Sequence, residues 1–438
     1  MSQNVKLSES EVKMKGDELH GLVAELYPIC LSITGDGVRQ SLKILRKHVD
    51  LRVHEVPTGT RVFDWEIPKE WNIKDAWIKN AQGEKVVDFQ KNSLHVVNYS
   101  TGVKQKLRLA DLKKHLFSLP EKPEWIPYRT SYYNETWGFC LSQRQLEALP
   151  DGEYEVMIDA TLAPGHLTYG EFRIQGETDD EVLISCHSCH PSLGNDNLSG
   201  MVVAAALAQH LAPTTLHYSY RFVWAPGTIG SIAWLALNEK VLPRIKHGLV
   251  LSCVGDPGAF NYKRSRRANA EIDRVVEHVL QRSGTKYEML DFTPIGYDER
   301  QYCSPGINLP MGCFMRTPNG KYPQYHTSAD NLDFVTASAL AESLETLLSV
   351  VKAIERNERF LNLNPKCEPQ LGRRGLYRRV GGTNNSRNEE AMLWVLNLSD
   401  GEHSLLDMAE RSKLDINELF EAAQRLMDPG LLRKLPRQ

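Results

Sequence analysis

Apolar segments at strand spacing alternate with segments at helical spacing over nearly half of the chain, between residues 153 and 356. EVLISC (181–186), YSYRFVWA (218–225) and HGLVLSC (247–253) are short and rich in β-branched or aromatic residues, as buried strands are. Loops with glycine or proline separate them from helical patterns such as NLSGMVVAAALAQHL (197–211). This order predicts a mostly parallel α/β sheet flanked by helices, with ligands at the loops after the carboxyl ends of the strands.

The regions outside this core differ from it in pattern. Residues 16–50 show helical spacing, and residues 51–142 carry alternating β-like runs with many aromatic residues and prolines. A basic, glycine-rich stretch at 372–388 precedes three short helical patterns that suit a winged helix. The predicted organisation is an N-terminal helical part of the core (1–58), an inserted β-rich domain (59–145), the α/β core (146–365), a linker (366–385) and a winged-helix-like domain (386–438).

Charge and hydropathy exclude several classes of partner. The formal net charge is −3, so no global field favours nucleic acid or an anionic membrane. From residue 386 onwards acids outnumber bases ten to seven, which is a poor footprint for DNA. No run reaches the roughly 18 apolar residues of a membrane span, and the polar N-terminus lacks a signal-peptide core. Eight cysteines without an export signal predict reduced thiols and a cytoplasmic location.

Histidines and aspartates gather where the predicted strands end. His187, His190 and Asp196 follow one strand, in CHSCHPSLGNDNLSG, and Asp256 follows another, in LSCVGDPG. His326 lies in QYHTSADN, just before the last long helix of the core. Zinc binds imidazole nitrogen and carboxylate oxygen, and ligands spread over several strand-end loops suit a metal site in this architecture.

Each of these residues alone also fits a structural role. Asp196 is placed to cap the helix that follows it, and Asp256 is a typical turn aspartate. Cys186 and Cys189 form a C-x-x-C pair, which is compatible with redox chemistry or structural zinc, but no second pair follows. The combination of residues, more than any single one, indicates a metal site.

The segment HSCHPSLGNDNLSG resembles the metal motif of the leucyl-aminopeptidase-type zinc exopeptidases, in which Asp-Asn-x-Ser-Gly follows a histidine. This resemblance implies that His187 and Asp256 bind one zinc ion and that His326 binds a second. It also implies that Asp196 bridges the two ions.

The whole chain is similar to bacterial aminopeptidase-like proteins of unassigned function. The similarity rests on the segments NDNLSG, TIGSI, DERQYCSPGINLP and YHTSADN. It implies a peptidase core with an inserted β-domain and a C-terminal winged helix, in agreement with the domain pattern.

Two departures from the exopeptidase pattern concern the chemistry. The family has a Glu-Glu pair that supplies the general base and a ligand of the second zinc, whereas this chain has Ala225, Pro226 and Gly227 there. The usual His-x-Asp is replaced by His187-Ser188-Cys189, in which Cys189 offers a thiolate to a soft metal. The sequence therefore leaves open the general base and whether one or two zinc ions bind.

Other residues are candidates for the missing roles. Asp298 and Glu299, in GYDERQYCSPG, and His190 are candidate general bases. Arg300 and Tyr302 are candidate ligands for a substrate carboxylate. A salt bridge or a hydrogen-bonded loop position is the structural alternative for each of these residues.

Together these features predict a zinc-dependent hydrolase of an amide bond in a small aminoacyl or peptidyl substrate. The alternative is a catalytically degenerate binding protein, because the Glu-Glu pair is absent. A ligand-sensing transcriptional regulator is a third hypothesis, disfavoured by the acidic C-terminal helices. The oligomeric state stays open, and a homo-oligomer is compatible with a peptidase-like fold that carries added domains.

Overall fold

The structure is a computed structural model that describes residues 9–376 and 387–437, with only the backbone for residues 9–14. Residues 377–385 of the predicted linker lie outside the described residues. The chain forms two compact units, Met1–Ala270 with Lys286–Glu345 and Glu271–Thr285 with Thr346–Gln438. Within the described ranges, every helix is too short or too polar to cross a lipid bilayer.

Between residues 153 and 356 strands alternate with helices, as the sequence pattern predicts. The helices are α1 Glu9–Leu26, α2 Asp36–Leu45, α3 Leu109–Leu112, α4 Gln143–Glu147, α5 Gly200–Leu211, α6 Ile229–Leu237, α7 Glu271–Arg282, α8 Glu299–Tyr302, α9 Ala337–Arg356, α10 Arg387–Leu398, α11 Leu405–Ser412 and α12 Ile416–Met427. The strands are β1 Arg52–Pro57, β2 Arg61–Val62, β3 Trp65–Glu66, β4 Glu70–Lys79, β5 Lys85–Asp88, β6 Val103–Arg108, β7 Leu116–Phe117, β8 Phe139–Cys140, β9 Glu153–Ala163, β10 His166–Ile174, β11 Glu181–His187, β12 Ser219–Ala225, β13 Ile245–Leu251, β14 Phe260–Lys263, β15 Tyr287–Leu290, β16 Met311–Met315, β17 Arg359–Asn362, β18 Asp400–Ser404 and β19 Leu432–Lys434.

A large sheet forms the core of the first unit, with the strand order β1-β10-β12-β11-β13-β16-β14-β15. The central strands β12, β11, β13 and β16 run parallel, whereas the β1/β10, β10/β12 and β14/β16 pairs are antiparallel. Every residue of β11 and β12 is buried, as expected for central strands covered on both faces. The predicted α/β core is confirmed, and its parallel centre brings the carboxyl ends of β12, β11 and β13 together.

A smaller antiparallel sheet, β5-β4-β9-β6, belongs to the same unit. It has its own apolar core, which includes Ile78, Phe139, Tyr154 and Val156. Strand β9 leads directly into β10 of the large sheet, so the β-rich segment continues past residue 145.

The second unit contains α10, α11 and α12 with the three-stranded sheet β18-β17-β19. Capping boxes begin α11 at Ser404 and α12 at Asp415, because in each the side chain three residues later bonds back to the cap backbone. Strand β17 lies before residue 386, so the structured C-terminal part begins earlier than the three helical patterns.

His278 on α7 is buried in the second unit at 3% exposure, and its Nε2 accepts the backbone N–H of Ile416 at 3.2 Å. Burial lowers the pKa of His278 to about 4; the charge of Arg282 acts in the same direction, and those of Asp415 and Glu410 oppose it. The folded state therefore holds a neutral imidazole at neutral pH.

This histidine predicts a loss of stability at acid pH. Between pH 6.5 and 4 the unfolded state binds the proton that the folded state refuses, so stability falls as the pH falls through this window. The contribution to the free energy of unfolding is about 3 kcal/mol, at 1.36 kcal/mol for each pKa unit between 6.5 and 4. In urea unfolding at pH 4.5 and 7.5, His278→Gln is expected to lose less stability on acidification than the wild type. Equal losses in the two proteins would contradict this assignment.

Candidate metal centre

Three segments meet at the carboxyl end of the central strands. His187 is the last residue of β11 and pairs with Ala225 at the end of β12. The following loop brings back His190 and Asp196, and a later loop adds His326. His187, His190 and Asp196 are 0%, 4% and 1% exposed, whereas the His326 side chain is 33% exposed and marks the open side of the group.

Asp196 lies at the centre of this group. Its Oδ1 is 2.7 Å from Nε2 of His187, and its Oδ2 is 3.0 Å from Nε2 of His326. The ring of His190 lies with its centroid 5.1 Å from that of His187 and 5.1 Å from that of His326. One ligand atom each of His187, His190 and Asp196 lies within 4.8 Å of the others, which is the spacing of a candidate metal site.

The ionisation states of His190 and Asp196 favour the binding of a cation. Burial lowers the pKa of His190 to about 3, so its imidazole is neutral and free to donate a lone pair. Burial alone would raise the pKa of Asp196, but the neighbouring His190 and the hydrogen bonds from His187 and His326 hold it well below its usual value. A buried carboxylate beside neutral imidazoles is a set of donors that a divalent cation satisfies.

Asp330 locks the two histidine-bearing segments together. Its Oδ1 accepts the backbone N–H of Asn195 at 2.5 Å, and its Oδ2 accepts that of Asp196 at 3.1 Å and the hydroxyl of Tyr322 at 3.3 Å. Burial raises the pKa of Asp330 to about 7. The backbone of Asp196 thus depends on a residue only four positions after His326.

Asn197 fixes the same loop to the end of β13. Its amide donates to the carbonyl of Leu251 at 2.9 Å, and its oxygen accepts the backbone N–H of Cys253 at 3.1 Å. A Cβ at Gly200 would lie 2.5 Å from Oδ1 of Asn197, so only glycine fits there. The NDNLSG segment is therefore explained by the packing that positions Asp196.

Asp256 is not brought to the group, although the resemblance made it a zinc ligand. Its Oδ1 accepts from Gly258 N at 2.8 Å and Thr317 Oγ1 at 2.6 Å, and its Oδ2 accepts from Asn195 Nδ2 and Thr317 N at 3.1 Å each. These four donors saturate the carboxylate. Asp256 is a turn residue that braces Asn195, the structural role that an aspartate in GDPG commonly has.

Three other residues that the sequence suggested for catalysis or substrate binding do not face the metal group. Glu299 forms a buried ion pair with Lys263 and accepts the backbone N–H of Tyr297, so it is not available as a base. Tyr302 is fully buried, with its hydroxyl 2.9 Å from Oγ of Ser185, and Arg300 is exposed on the surface. The structure thus places none of the three in the metal group.

Asp298 lies closer to the site, because it directly follows Tyr297, whose ring packs on that of His187. Its Oδ1 accepts a hydrogen bond from Oγ of Ser231 at 2.8 Å. Its Oδ2 has no hydrogen-bond partner among the described residues, and burial raises its pKa to about 6. Asp298 is 0% exposed, as His187 is, and its role as a general base stays a prediction.

Tyr297, which no sequence pattern singled out, packs against the loop in which the exopeptidase family has the Glu-Glu pair. Its ring centroid is 3.9 Å from that of His187, and its hydroxyl donates to the carbonyl of Gly227 at 3.2 Å and lies 3.1 Å from Sγ of Cys189. A Cβ at Gly227 would lie 2.0 Å from Cε1 of this tyrosine. The phenol fills the space beside His187, so the acids of a second metal site have no counterpart there.

Two further tyrosines form the walls of the site. Tyr128 meets His190 and His326 edge-on, with centroids 5.1 Å from each, and Tyr325 stacks on His326 at 3.9 Å. Tyr128 N–H also donates to the carbonyl of His326 at 2.8 Å, which stabilises the left-handed backbone of that histidine at φ 54°. Tyr128 precedes the core by many residues, and nothing in its local pattern indicates this position.

The donor set fits one zinc ion. His187, His190 and Asp196 supply two imidazoles and one carboxylate, a ligand number and type that catalytic zinc sites use. The donors of a second ion do not fit, because Ala225, Pro226 and Gly227 carry no acid, which leaves only Asp196 and His326 of the set that the resemblance implies for it.

Comparison with known families agrees with this architecture. Residues 20–357 match the family described as "Domain of unknown function (DUF4910)". The chain belongs to the DUF4910 family. Residues 358–434 of this DUF4910 protein match a winged helix-turn-helix model, which confirms the predicted C-terminal winged helix.

A relative from Clostridium acetobutylicum is 52% identical over 419 residues, which are 95% of this chain and 96% of that protein. It is named "Putative polysaccharide biosynthesis protein with aminopeptidase-like domain". The crystal structure of a putative peptidase from the same organism superposes with a TM-score of 0.93 at 50% identity, covering 97% of this chain and 98% of that one.

More distant structures share the fold. A zinc aminopeptidase from Bacillus subtilis superposes with a TM-score of 0.56 at 14% identity, covering 78% of this chain and 95% of that one. A Peptidase M28 precursor from Shewanella amazonensis gives 0.52 at 12% identity, covering 78% and 94%. The DUF4910 protein therefore has the zinc-exopeptidase fold with an aminopeptidase-like core.

Proposed function

We propose that this DUF4910 protein is a hydrolase that uses one zinc ion to cleave an amide bond in a small aminoacyl or peptidyl substrate. The observation that carries the proposal is the convergence of His187, His190 and Asp196 in a buried group with an open side at His326. The zinc-exopeptidase fold alone would not support a hydrolase activity, because one fold supports many activities.

His187, His190 and Asp196 are the residues that hold the ion in this proposal. A zinc ion bound there would polarise the amide carbonyl and a water molecule. Asp330, Asn195 and Asn197 keep the ligands in place through the hydrogen bonds to the loop backbone described above.

His326 is the general base in this proposal. Its Nε2 faces Oδ2 of Asp196, so the carboxylate holds a proton on Nε2 and leaves the lone pair on Nδ1. No residue in the described part of the chain bonds to Nδ1. His326 takes a proton from water as the C–O bond forms, and returns it to the amine nitrogen as the C–N bond breaks.

The test is chelator-sensitive turnover by the full-length, zinc-loaded chain on a panel of small amides. The name of the Clostridium relative adds carbohydrate-linked amides to that panel. We expect hydrolysis that is lost with a chelator and restored by zinc. Turnover that survives both the chelator and His190→Ala would overturn the proposal, as would zinc-loaded protein that hydrolyses no amide.

A binding protein without hydrolase activity is the second candidate, and Tyr297 in the place of the acid pair favours it. Ligand binding that persists in the His190→Ala variant, together with no turnover, would support this alternative.

We also infer a cytoplasmic location. Self-association of the chain stays a prediction. All eight cysteines are free thiols, as expected for a protein that works in a reducing compartment.

A further inference from the structure

We propose that an exposed aromatic platform, formed by Phe63, Trp65 and Tyr133, binds the faces of neutral saccharide residues. The platform lies outside the metal group and contains no metal ligand. This inference therefore goes beyond the proposed hydrolase function, and its test does not depend on turnover.

Aromatic side chains are concentrated on this part of the surface. Phe63, Trp65 and Tyr133 are 44%, 47% and 51% exposed, and within residues 15–376 and 387–437 they are the exposed phenylalanine, tryptophan and tyrosine side chains. Phe63 and Trp65 lie at the turn of the β2–β3 hairpin. The ring of Trp65 lies 5.7 Å from that of Tyr133 between centroids, at an angle of 53°, so neither ring covers the face of the other. Apolar groups that are exposed together indicate a binding surface, whereas isolated ones do not.

The backbone that carries two of these rings is strained. Phe63 and Tyr133 have φ angles of 56° and 65°, in the left-handed region that bulky residues rarely adopt. Phe63 is the first of the two residues between Val62 and Trp65, which pair across the hairpin, and glycine takes such a position without strain. Strained residues cluster at positions that contact ligands. A ligand that stacks on the ring is a physical reason for a phenylalanine here.

The hairpin that carries the platform is anchored to the protein. Val62 and Ile67 are buried and belong to the apolar core beside the large sheet. The backbone N–H of Ile67 donates to the carbonyl of Thr60 at 3.0 Å, and that of Gly59 donates to the carbonyl of Ile67 at 2.9 Å. Rings on an anchored hairpin lose little conformational freedom when a ligand binds, which favours affinity for a small ligand.

The area of the platform is too small for another protein chain. The three exposed fractions correspond to about 300 Å² of surface, since a whole aromatic side chain buries roughly 150–250 Å². A stable protein–protein interface needs about 800 Å² on each partner. The platform is therefore large enough for a few sugar rings and too small for a second copy of this chain.

The charges around the rings favour a neutral ligand. The charged residues that neighbour them in the chain are Arg61, Asp64, Glu66, Lys69 and Glu135. Lys69 pairs with Glu135 at 2.6 Å, so these neighbours supply no excess of positive charge that would attract a phosphate or another anion.

Polar groups beside the rings complete the match to a sugar. Asp64, Glu66, Asn134 and Thr136 are exposed next to the aromatic residues in the chain and offer hydrogen-bond acceptors and donors. A sugar ring has a face of C–H groups, which packs on an aromatic ring, and hydroxyl groups at its edge, which bond to polar side chains. A lipid or an apolar peptide would leave these polar groups unused.

The platform is connected to the wall of the metal group. Tyr133 directly follows Tyr132, whose hydroxyl lies 2.9 Å from that of Tyr128. Tyr128 in turn meets His190 and His326 edge-on. Under the proposed function, this arrangement suits a substrate whose sugar part binds the platform and whose amide lies at the metal group.

The test is calorimetric titration of the full-length protein with three neutral hexasaccharides, namely cellohexaose, maltohexaose and hexa-N-acetylchitohexaose. We expect at least one of them to bind with a Kd of about 1 mM or tighter, equally with and without a chelator. Trp65→Ala and Tyr133→Ala should each weaken this binding by at least about tenfold, because each removes a ring face. Leu363→Ala is the matched control, since Leu363 is 48% exposed and lies in the other unit, and it should bind like the wild type. Thermal unfolding of each variant shows that it is folded.

The inference would be overturned if none of the three hexasaccharides bound at concentrations up to about 10 mM. Binding that both aromatic variants leave unchanged would also overturn it, and so would tighter binding of an anionic hyaluronan hexasaccharide than of the neutral ones. A wild-type dimer that Trp65→Ala dissociates in sedimentation would show that a second copy of the chain covers the platform instead. Saccharide binding in a protein that hydrolyses no amide would keep this inference and end the proposed function.

Discussion

Replacing His190 with alanine is expected to weaken zinc binding by at least about 100-fold, whereas Asp256→Asn is expected to weaken it by less than about tenfold. His190 belongs to the group of mutually close ligand atoms, and Asp256 touches it only through Asn195. Zinc affinity is measured by competition with a chromogenic chelator. The comparison of the two variants distinguishes the ligand set that the structure shows, which includes His190, from the set that the resemblance implies, which includes Asp256.

Asp256→Asn also removes an acceptor from Thr317, so thermal unfolding of both variants is recorded without metal as a control for folding. If Asp256→Asn released the zinc while His190→Ala kept it, the sequence-based ligand set would be right and the one described here would be wrong.

The second large effect is expected at His326. In His326→Ala the zinc content should stay close to that of the wild type, while kcat on the best amide of the panel falls by about 10²–10⁴. The physical reason is that Asp196 orients the imidazole through Nε2 while the other nitrogen receives the proton of water. Metal content and kcat are measured on the same preparation, because only the two together distinguish a base from a ligand.

The exposed His48 provides the matched control, and His48→Ala should retain both zinc and activity. Loss of zinc in His326→Ala would instead make this histidine a ligand, as the resemblance to zinc exopeptidases implies. Full activity with zinc bound would remove His326 from the chemistry.

The sequence was informative wherever a short segment determines position. The last residue of β11 and the first turns of α5 are only 13 residues apart, so their periodicity placed His187 and Asp196 at one strand end. The resemblance of YHTSADN to the zinc-exopeptidase motif likewise placed His326 near the site. These positions depend on local pattern and on the common edge of a parallel sheet.

Asp256 and Tyr297 show that the local sequence pattern does not reveal side-chain contacts between distant segments. The direction of the Asp256 side chain is decided by Thr317, 61 residues away, and no local signal encodes that contact. Tyr297 reaches Gly227 across 70 residues, and its fit depends on the missing Cβ of that glycine. Similarly, Glu299 was a candidate base by type, and only the fold shows that Lys263 neutralises it. Side-chain contacts between distant segments are thus the part that needed the structure.

The lack of an acid pair has a structural counterpart in Tyr297, and together they are the reason that we propose a single metal ion. A carboxylate in place of Ala225 or Pro226 would lie next to a loop whose Gly227 carbonyl already binds the phenol. The same phenol packs on His187 at 3.9 Å between ring centroids. In the function proposed here, the site therefore keeps one group of ligands of the zinc-exopeptidase pattern.

The number of zinc ions per chain tests this account most directly. The full-length protein is purified, saturated with zinc, dialysed against buffer without metal and measured by elemental analysis, with Asp196→Ala treated in parallel. The account predicts one zinc ion per wild-type chain and none in the variant. Two ions per chain, or none in a folded wild type, would contradict it.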